Sequence, residues 1–312
     1  MYGYHVGKGK AMGESLQTAV VTTRKNGFNM QSAQIFVSGP QSYRQLLDEE
    51  AQIKTRATIE SLGIQVIVHG AYVDHPWRKN IAGIDNIRRE LRVCEQIGAN
   101  GLVVHLGSGA AIDENLEFVL MRIADGMAAQ NANPADRVMV ETNKPVLYFE
   151  INSAKPTAET FETPAKLTVL FQRIAAVNAR LTVPIKYGVC VDTCHLFACG
   201  YDDTTYEKMR AYLDAVDALR IPAIIHFNDA DNKLGDGRDR HEAICKGNIW
   251  RDYHPRTGTK PFKESGAWAT IEWSLAPSYD PAYPRVVILE RDCDSLASDF
   301  ELIAPMLPAA GH

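Results

Sequence analysis

The 312-residue sequence reads as a single (β/α)8 barrel spanning residues 1–312, and three observations carry that reading. Short β-branched runs recur eight times, helix-period stretches lie between them, and six of the runs end on a His, Asp or Glu. The runs cover residues 2–6, 32–37, 65–69, 101–105, 146–150, 187–192, 223–228 and 285–290. Most are apolar without strict alternation, as parallel strands buried on both faces should be. Helical periodicity marks 43–62 (Leu46, Leu47, Ile53, Ile59), 87–97, 116–127 and 205–219. No linker, repeat or low-complexity stretch divides the chain. The irregular segment 232–263, after the seventh run, is too long for an idle connection and is expected to carry function.

Composition narrows the class. Apolar residues make up 46% and charged residues 23%, the balance of a globular protein able to bury a core. Nothing approaches the ~18 apolar residues of a membrane span or the charged start and apolar stretch of a secretion signal. A soluble, intracellular protein, cytoplasmic or nuclear, is expected, with no membrane partner. Six cysteines, at 94, 190, 194, 199, 245 and 293, show no CxxC spacing and are expected as reduced thiols. The net charge of −5 runs against a nucleic-acid partner, because phosphate binding needs a basic face.

The ends of the runs hold the chemistry. QVIVHG ends on His69, GLVVHL on His105, VLYFE on Glu150, YGVCVD on Asp192, AIIHFND on His226 and RVVILE on Glu290. In a parallel barrel these ends converge on one rim, where barrel enzymes keep their active sites. One such residue is ordinary at a strand end. Six together, buried without cations, would cost several kcal/mol per charge. A mixed His/Asp/Glu set without thiolate suits Zn²⁺ first and Mn²⁺ or Fe²⁺ second. In VDTCH, His195 lies three residues past Asp192, so the two could serve neighbouring metals. In GRDRHEAI, Asp239 and His241 are one residue apart and leave an extended loop on the same side, where both could share an ion. A solvated loop with ion pairs is the plainer alternative for that fragment.

Taken together, these residues resemble the endonuclease IV family of abasic-site endonucleases, from HV at 5–6 to LE at 289–290. The most specific stretch is VDTCHLFACGYD (191–202), followed by HFNDA (226–230) and DRHEAICKGNI (239–249); VHGAYV (68–73) and HLGS (105–108) are looser. HGAYVDHPW and GNIW look most like the divergent branch carried by large DNA viruses, in which case a virion-associated location is also open. The resemblance implies a trinuclear zinc site. His69, His105 and Glu150 would hold one ion; a bridging Glu150 with Asp192, His226 and Glu290 the second; His195, Asp239 and His241 the third. It also implies hydrolysis of the phosphodiester 5′ to the abasic sugar, leaving a 3′-hydroxyl and a 5′-deoxyribose phosphate. Glu290 and Glu150 are then the catalytic carboxylates, Glu290 positioning the attacking water, with the third ion on the leaving side. Departures are Leu106, where many members have proline, and EINSAK (150–155) in place of the common Glu-Asn-Thr. Glu141 in VMVETN is a rival for the place given to Glu150, which is preferred because the stretch to Phe171 keeps the family's spacing.

Three divalent ions would bring the net charge to about +1, concentrated on one face. Lys8, Lys10, Arg78, Lys79, Arg238, Arg240, Lys246 and Arg251 collect in the expected rim loops, although singly each reads as an ordinary surface charge. Double-stranded DNA with abasic sites is therefore the expected partner, bound by a monomer. Tyr72 and Val73 stand where the family drives a wedge into the minor groove, and Arg240 where a basic loop meets DNA. A core tyrosine is the alternative for Tyr72. His5 is expected to pack inside the barrel; His75, His254 and His312 receive no role. Two rivals remain: a metal-dependent sugar isomerase or epimerase of the same barrel superfamily, which has no need of Asp239 or His241, and a non-enzymatic damage-binding protein.

Overall fold

Eight parallel strands close on themselves in a computed structural model that describes residues 1–106, 111–130, 145–157, 160–291 and 295–307. They are β1 (Tyr2–His5), β2 (Ser32–Phe36), β3 (Gln65–His69), β4 (Gly101–His105), β5 (Val146–Glu150), β6 (Tyr187–Asp192) and β7 (Ala223–His226). Two short strands, β8 (Asp229–Ala230) and β9 (His241–Glu242), pair antiparallel apart from the barrel, and β10 (Val286–Leu289) closes it between β7 and β1. This is the (β/α)8 architecture that the alternating runs imply.

The pleat sorts each strand into two faces. Ile67, Val103, Val146, Tyr148, Cys190, Ile224, Val286 and Ile288 form an apolar plug of their own inside the barrel. The alternate residues, such as Val66, Val68, Leu102 and Leu147, belong to the larger layer between strands and helices. A residue two places beyond a plug residue points inward again, at the mouth. His69, His105, Glu150, Asp192, His226 and Glu290 all stand in that position.

The α-helices among the described residues are α1 (Met12–Lys25), α2 (Glu49–Leu62), α3 (Ile81–Ile97), α4 (Ala111–Gln130), α5 (Pro164–Asn178), α6 (Thr193–Ala198), α7 (Tyr206–Ala218), α8 (Gly266–Leu275) and α9 (Ala297–Ile303). Local capping sets several ends: the side chains of Asp48, Asn80, Thr163, Thr205 and Ser265 accept from backbone N–H groups of the first turn. The helical period read over 43–62 overshoots. Asp48 starts α2 by accepting from the Ala51 N–H at 2.8 Å, while the Leu46 N–H bonds to the Val37 carbonyl at 2.8 Å and holds a loop. Ile53, counted toward the buried face, is 71% exposed.

Candidate metal centre

Register turns strand ends into neighbours: His105 pairs with Glu150, and Asp192 with His226. Glu150, fully buried, is the hub. Its Oε2 lies 3.2 Å from His69 Nε2 and 3.1 Å from His105 Nε2; its Oε1 lies 3.0 Å from His226 Nδ1 and 3.4 Å from His195 Nδ1. Three carboxylates converge on His226 Nδ1, with Glu290 Oε2 at 3.0 Å and Asp192 Oδ2 at 3.9 Å beside Glu150. A third cluster joins the β8–β9 turn to α6. Asp239 reaches His195 Nε2 at 3.2 Å and His241 Nε2 at 3.0 Å, and His241 Nε2 is 3.4 Å from Asp192 Oδ2.

Second partners aim the rings. The Nδ1–H groups of His69 and His195 donate to the carbonyls of Gly70 and Ile151, each at 2.8 Å, and that of His241 to the Glu290 carbonyl at 3.4 Å. Each leaves Nε2 facing the carboxylates. The loop bearing His241 is fixed by Asp229, whose side chain accepts from the N–H groups of Ala230 at 2.8 Å and Ile249 at 2.9 Å.

Burial pushes the Glu150 carboxyl up, yet the His105 and His226 rings hold it well below its ordinary range. Glu290 and Asp239 follow the same pattern: burial opposes, and His226 lowers the first while His195 and His241 lower the second. The rings move the other way. Against burial, Asp192 and Asp239 raise His195 to about 10, and His226 and His241 rise well above an ordinary imidazole. Left alone, the cluster balances its charge with ring protons, and these are what a divalent cation replaces.

The donors fit such cations. The buried Nε2 atoms of His195 and His241 lack a well-directed hydrogen bond although both lie against Asp239, as ligands sharing an ion do. The donor atoms of His69, His105 and Glu150 lie within 4.8 Å of one another, as do those of His69, His226 and Glu290, and those of His195, Asp239 and His241. Cys190, beside Glu150 and His226, and Cys194, beside Asp192 and His241, fall within further groups of this kind, and burial pushes both thiols up.

The nine ligand candidates named from sequence thus come together at one mouth, which opens into a cavity of about 1200 Å³. Tyr72, 43% exposed, lines it with its ring 5.3 Å from His69 and 5.4 Å from His105. Val73 and Arg240 are not in its wall. Val73 is half-buried and its carbonyl accepts from Tyr43 at 2.9 Å; Arg240 is exposed on the β8–β9 turn. Of the basic residues singled out above, Lys10 lines the cavity. His5 corrects its expected place: it stands at the mouth, half-buried, its ring 4.7 Å from Phe36. Glu141, His312, Cys293 and the Gly107–Ser108 part of HLGS lie outside the described residues.

Two site residues escaped the sequence reading. Gln34 donates to Glu290 Oε1 at 2.6 Å and faces His226 Nε2 at 2.8 Å. Asn228 donates to Asp192 Oδ2 at 2.9 Å and accepts from the Glu290 N–H at 3.0 Å. Strand parity is the signal for Gln34: two residues before the inward Phe36, it must face inward too. Among the described residues the cysteines Cys94, Cys190, Cys194, Cys199 and Cys245 are free and buried, and no helix is long and apolar enough to cross a membrane.

Carboxylates and imidazoles gathered at the C-terminal mouth of a parallel barrel define a metal-dependent barrel enzyme. A family profile described as "Xylose isomerase-like TIM barrel" matches residues 23–273. A "Probable AP endonuclease" of African swine fever virus is 28% identical over 287 residues, covering 90% of this chain and 86% of the relative. A "Probable endonuclease 4" of Methanoculleus marisnigri is 32% identical over 234 residues, 70% of this chain and 75% of the relative. The crystal structure of AsfvAP:AG matches with a TM-score of 0.77 at 24% identity over 99% of each chain, a likeness of fold. The chain belongs to the xylose isomerase-like TIM barrel family and, within it, to the endonuclease IV type.

Proposed function

We propose that this chain is a DNA-repair endonuclease that hydrolyses the phosphodiester 5′ to abasic sites in double-stranded DNA, leaving a 3′-hydroxyl and a 5′-deoxyribose phosphate. The observation that carries the reading is the third donor cluster, His195, Asp239 and His241, set beside the two strand-end clusters in one open cavity. A sugar isomerase of the same superfamily has no need of that loop. We assign Zn²⁺ to three sets: His69, His105 and Glu150; Glu150, Asp192, His226 and Glu290; and His195, Asp239 and His241. Mn²⁺ or Fe²⁺ suits the same donors. Metals of this kind supply Lewis acidity and an ionised water at neutral pH.

The chain's own groups do the rest. Glu290, held between Gln34 and Asn228, is aimed to take the proton of the attacking water at its carboxylate. Tyr72, exposed beside the cluster, fills the gap left when the abasic nucleotide turns out of the stack, with Val73 behind it. Lys10 in the cavity wall and Arg240 on the loop face the phosphates. Buried free thiols suit a reducing, intracellular compartment, and the chain is taken to act as a monomer. Incubation with a duplex carrying one tetrahydrofuran abasic analogue tests the reading. The expected product is a nick 5′ to the analogue whose 3′ end a polymerase extends; an intact duplex, with sugar isomerisation in its place, overturns it.

A further inference from the structure

His69, His195 and His241 each tie Nδ1–H to a main-chain carbonyl and turn Nε2 to the carboxylates. His226 is reversed. Its Nδ1 faces Glu150 Oε1 and Glu290 Oε2 at 3.0 Å each, and its Nε2 lies 2.8 Å from Gln34 Oε1. A side-chain amide on another strand stands where the main chain serves the other rings.

Hydrogen-bond chemistry fixes which way that amide points. An ionised carboxylate can only accept, so the Gln34 atom 2.6 Å from Glu290 Oε1 must be the NH₂ group. The carbonyl is then the atom toward His226, and a carbonyl demands an N–H at Nε2. Nδ1 is then the nitrogen that faces the convergence of Glu150, Asp192 and Glu290, carrying a proton there in the ion-free ring and offering a lone pair once a cation takes that proton's place. Gln34 is completely buried, which removes water as a competitor for either bond.

We propose that Gln34 is a positioning residue of the metal centre. It locks His226 as the Nε2–H tautomer, so that Nδ1 ligates, and with the other end of the same amide it fixes the Glu290 carboxylate. The inference rests on His226 and Glu290 being ligands, as assigned above.

The test compares wild type with Gln34→Met, which keeps the length and loses both hydrogen bonds, and Gln34→Glu, which keeps an acceptor for His226 but sets a charge against Glu290. Zinc release to a chelator should be about 10- to 100-fold faster in both variants, the usual cost of losing such a partner. In ¹⁵N-labelled protein, His226 should show Nε2–H with Nδ1 ligated in wild type and Gln34→Glu, and lose that preference in Gln34→Met. Zinc release within twofold of wild type in Gln34→Met, or ligation through Nε2 in wild type, overturns the inference. Should Gln34→Met fail to fold, the wild-type tautomer and Gln34→Glu still decide it. Wild type that binds no zinc at all overturns the metal reading itself, so the two failures are distinguishable.

Discussion

Replacing Glu150 with Gln removes the charge that four imidazoles share. The rings of His69, His105, His195 and His226 all stand 3.0–3.4 Å from its oxygens, and the residue is fully buried. In chelator-treated protein the neighbouring carboxylates raise two of these rings, His195 to about 10 and His226 well above an ordinary imidazole, so that both carry protons at neutral pH. Their counter-charge is the carboxylate. Removing one partner of such a buried cluster costs about 3–5 kcal/mol, which for a chain of this length lowers Tm by roughly 5–8 °C. The pH dependence has a definite sign. Folding depresses the Glu150 carboxyl below its ordinary 4.5, so its contribution is present above that pH and is lost as pH falls through the lower folded value. The gap between wild type and Glu150→Gln should be full at pH 7 and close in acid. In zinc-loaded protein the same change should release two ions together, because both assigned sets use this residue. Thermal denaturation of metal-free and zinc-loaded protein from pH 3 to 8, with metal analysis, measures all of this. A metal-free Tm within ~1 °C of wild type, together with unchanged zinc, would refute the reasoning.

Other perturbations separate the roles. Glu290→Gln should keep the fold and most of the zinc while incision falls ~10²-fold or more; single-turnover rates on an abasic duplex check it, and activity within a few-fold of wild type removes the assignment. His241→Ala should lose about one zinc per chain while the strand-end ions stay, with a steep fall in incision and a much smaller loss of duplex affinity; unchanged zinc and unchanged cleavage would make the Asp239–His241 loop an ordinary solvated loop. Asp74 and Glu90, buried together beside Gly70, are raised chiefly by burial, to about 7 and about 8. Raised carboxyls stabilise the fold in acid, below about pH 4, and that stability is lost as pH climbs through 7–8. Asp74→Asn should therefore gain on the order of 2–4 kcal/mol at pH 8.5 and little near pH 4, read by urea denaturation at both; a gain independent of pH would contradict it.

Much of this architecture is written in the strands. A parallel barrel buries both faces of each strand, so its segments stand out as apolar runs, and a titratable residue closing such a run is conspicuous. The residues that escaped lie where that contrast is weak. Gln34 sits inside its run, and it is revealed by counting inward positions back from Phe36. His5 obeys the same parity: two residues past Gly3 and level with the inward Gln34, it belongs to the mouth layer and not among the plug residues. Asn228 lies past the end of β7, and its part in orienting Asp192 and Glu290 depends on where β10 returns, a long-range fact that no local pattern carries. The false start of α2 has a local cause: apolar Leu46 and Leu47 mimic the helical period, but the Asp48 cap overrides them.

The most direct test combines zinc content and cleavage in one preparation of the unaltered protein. Metal analysis of the purified chain, followed by stepwise chelation with incision of an abasic duplex measured at each step, should find about three zinc ions per chain. Activity should disappear with the first ion lost and return on zinc addition, while far-ultraviolet circular dichroism remains that of a folded barrel. One or two ions with full incision, or incision that survives complete removal of metal, would contradict the account.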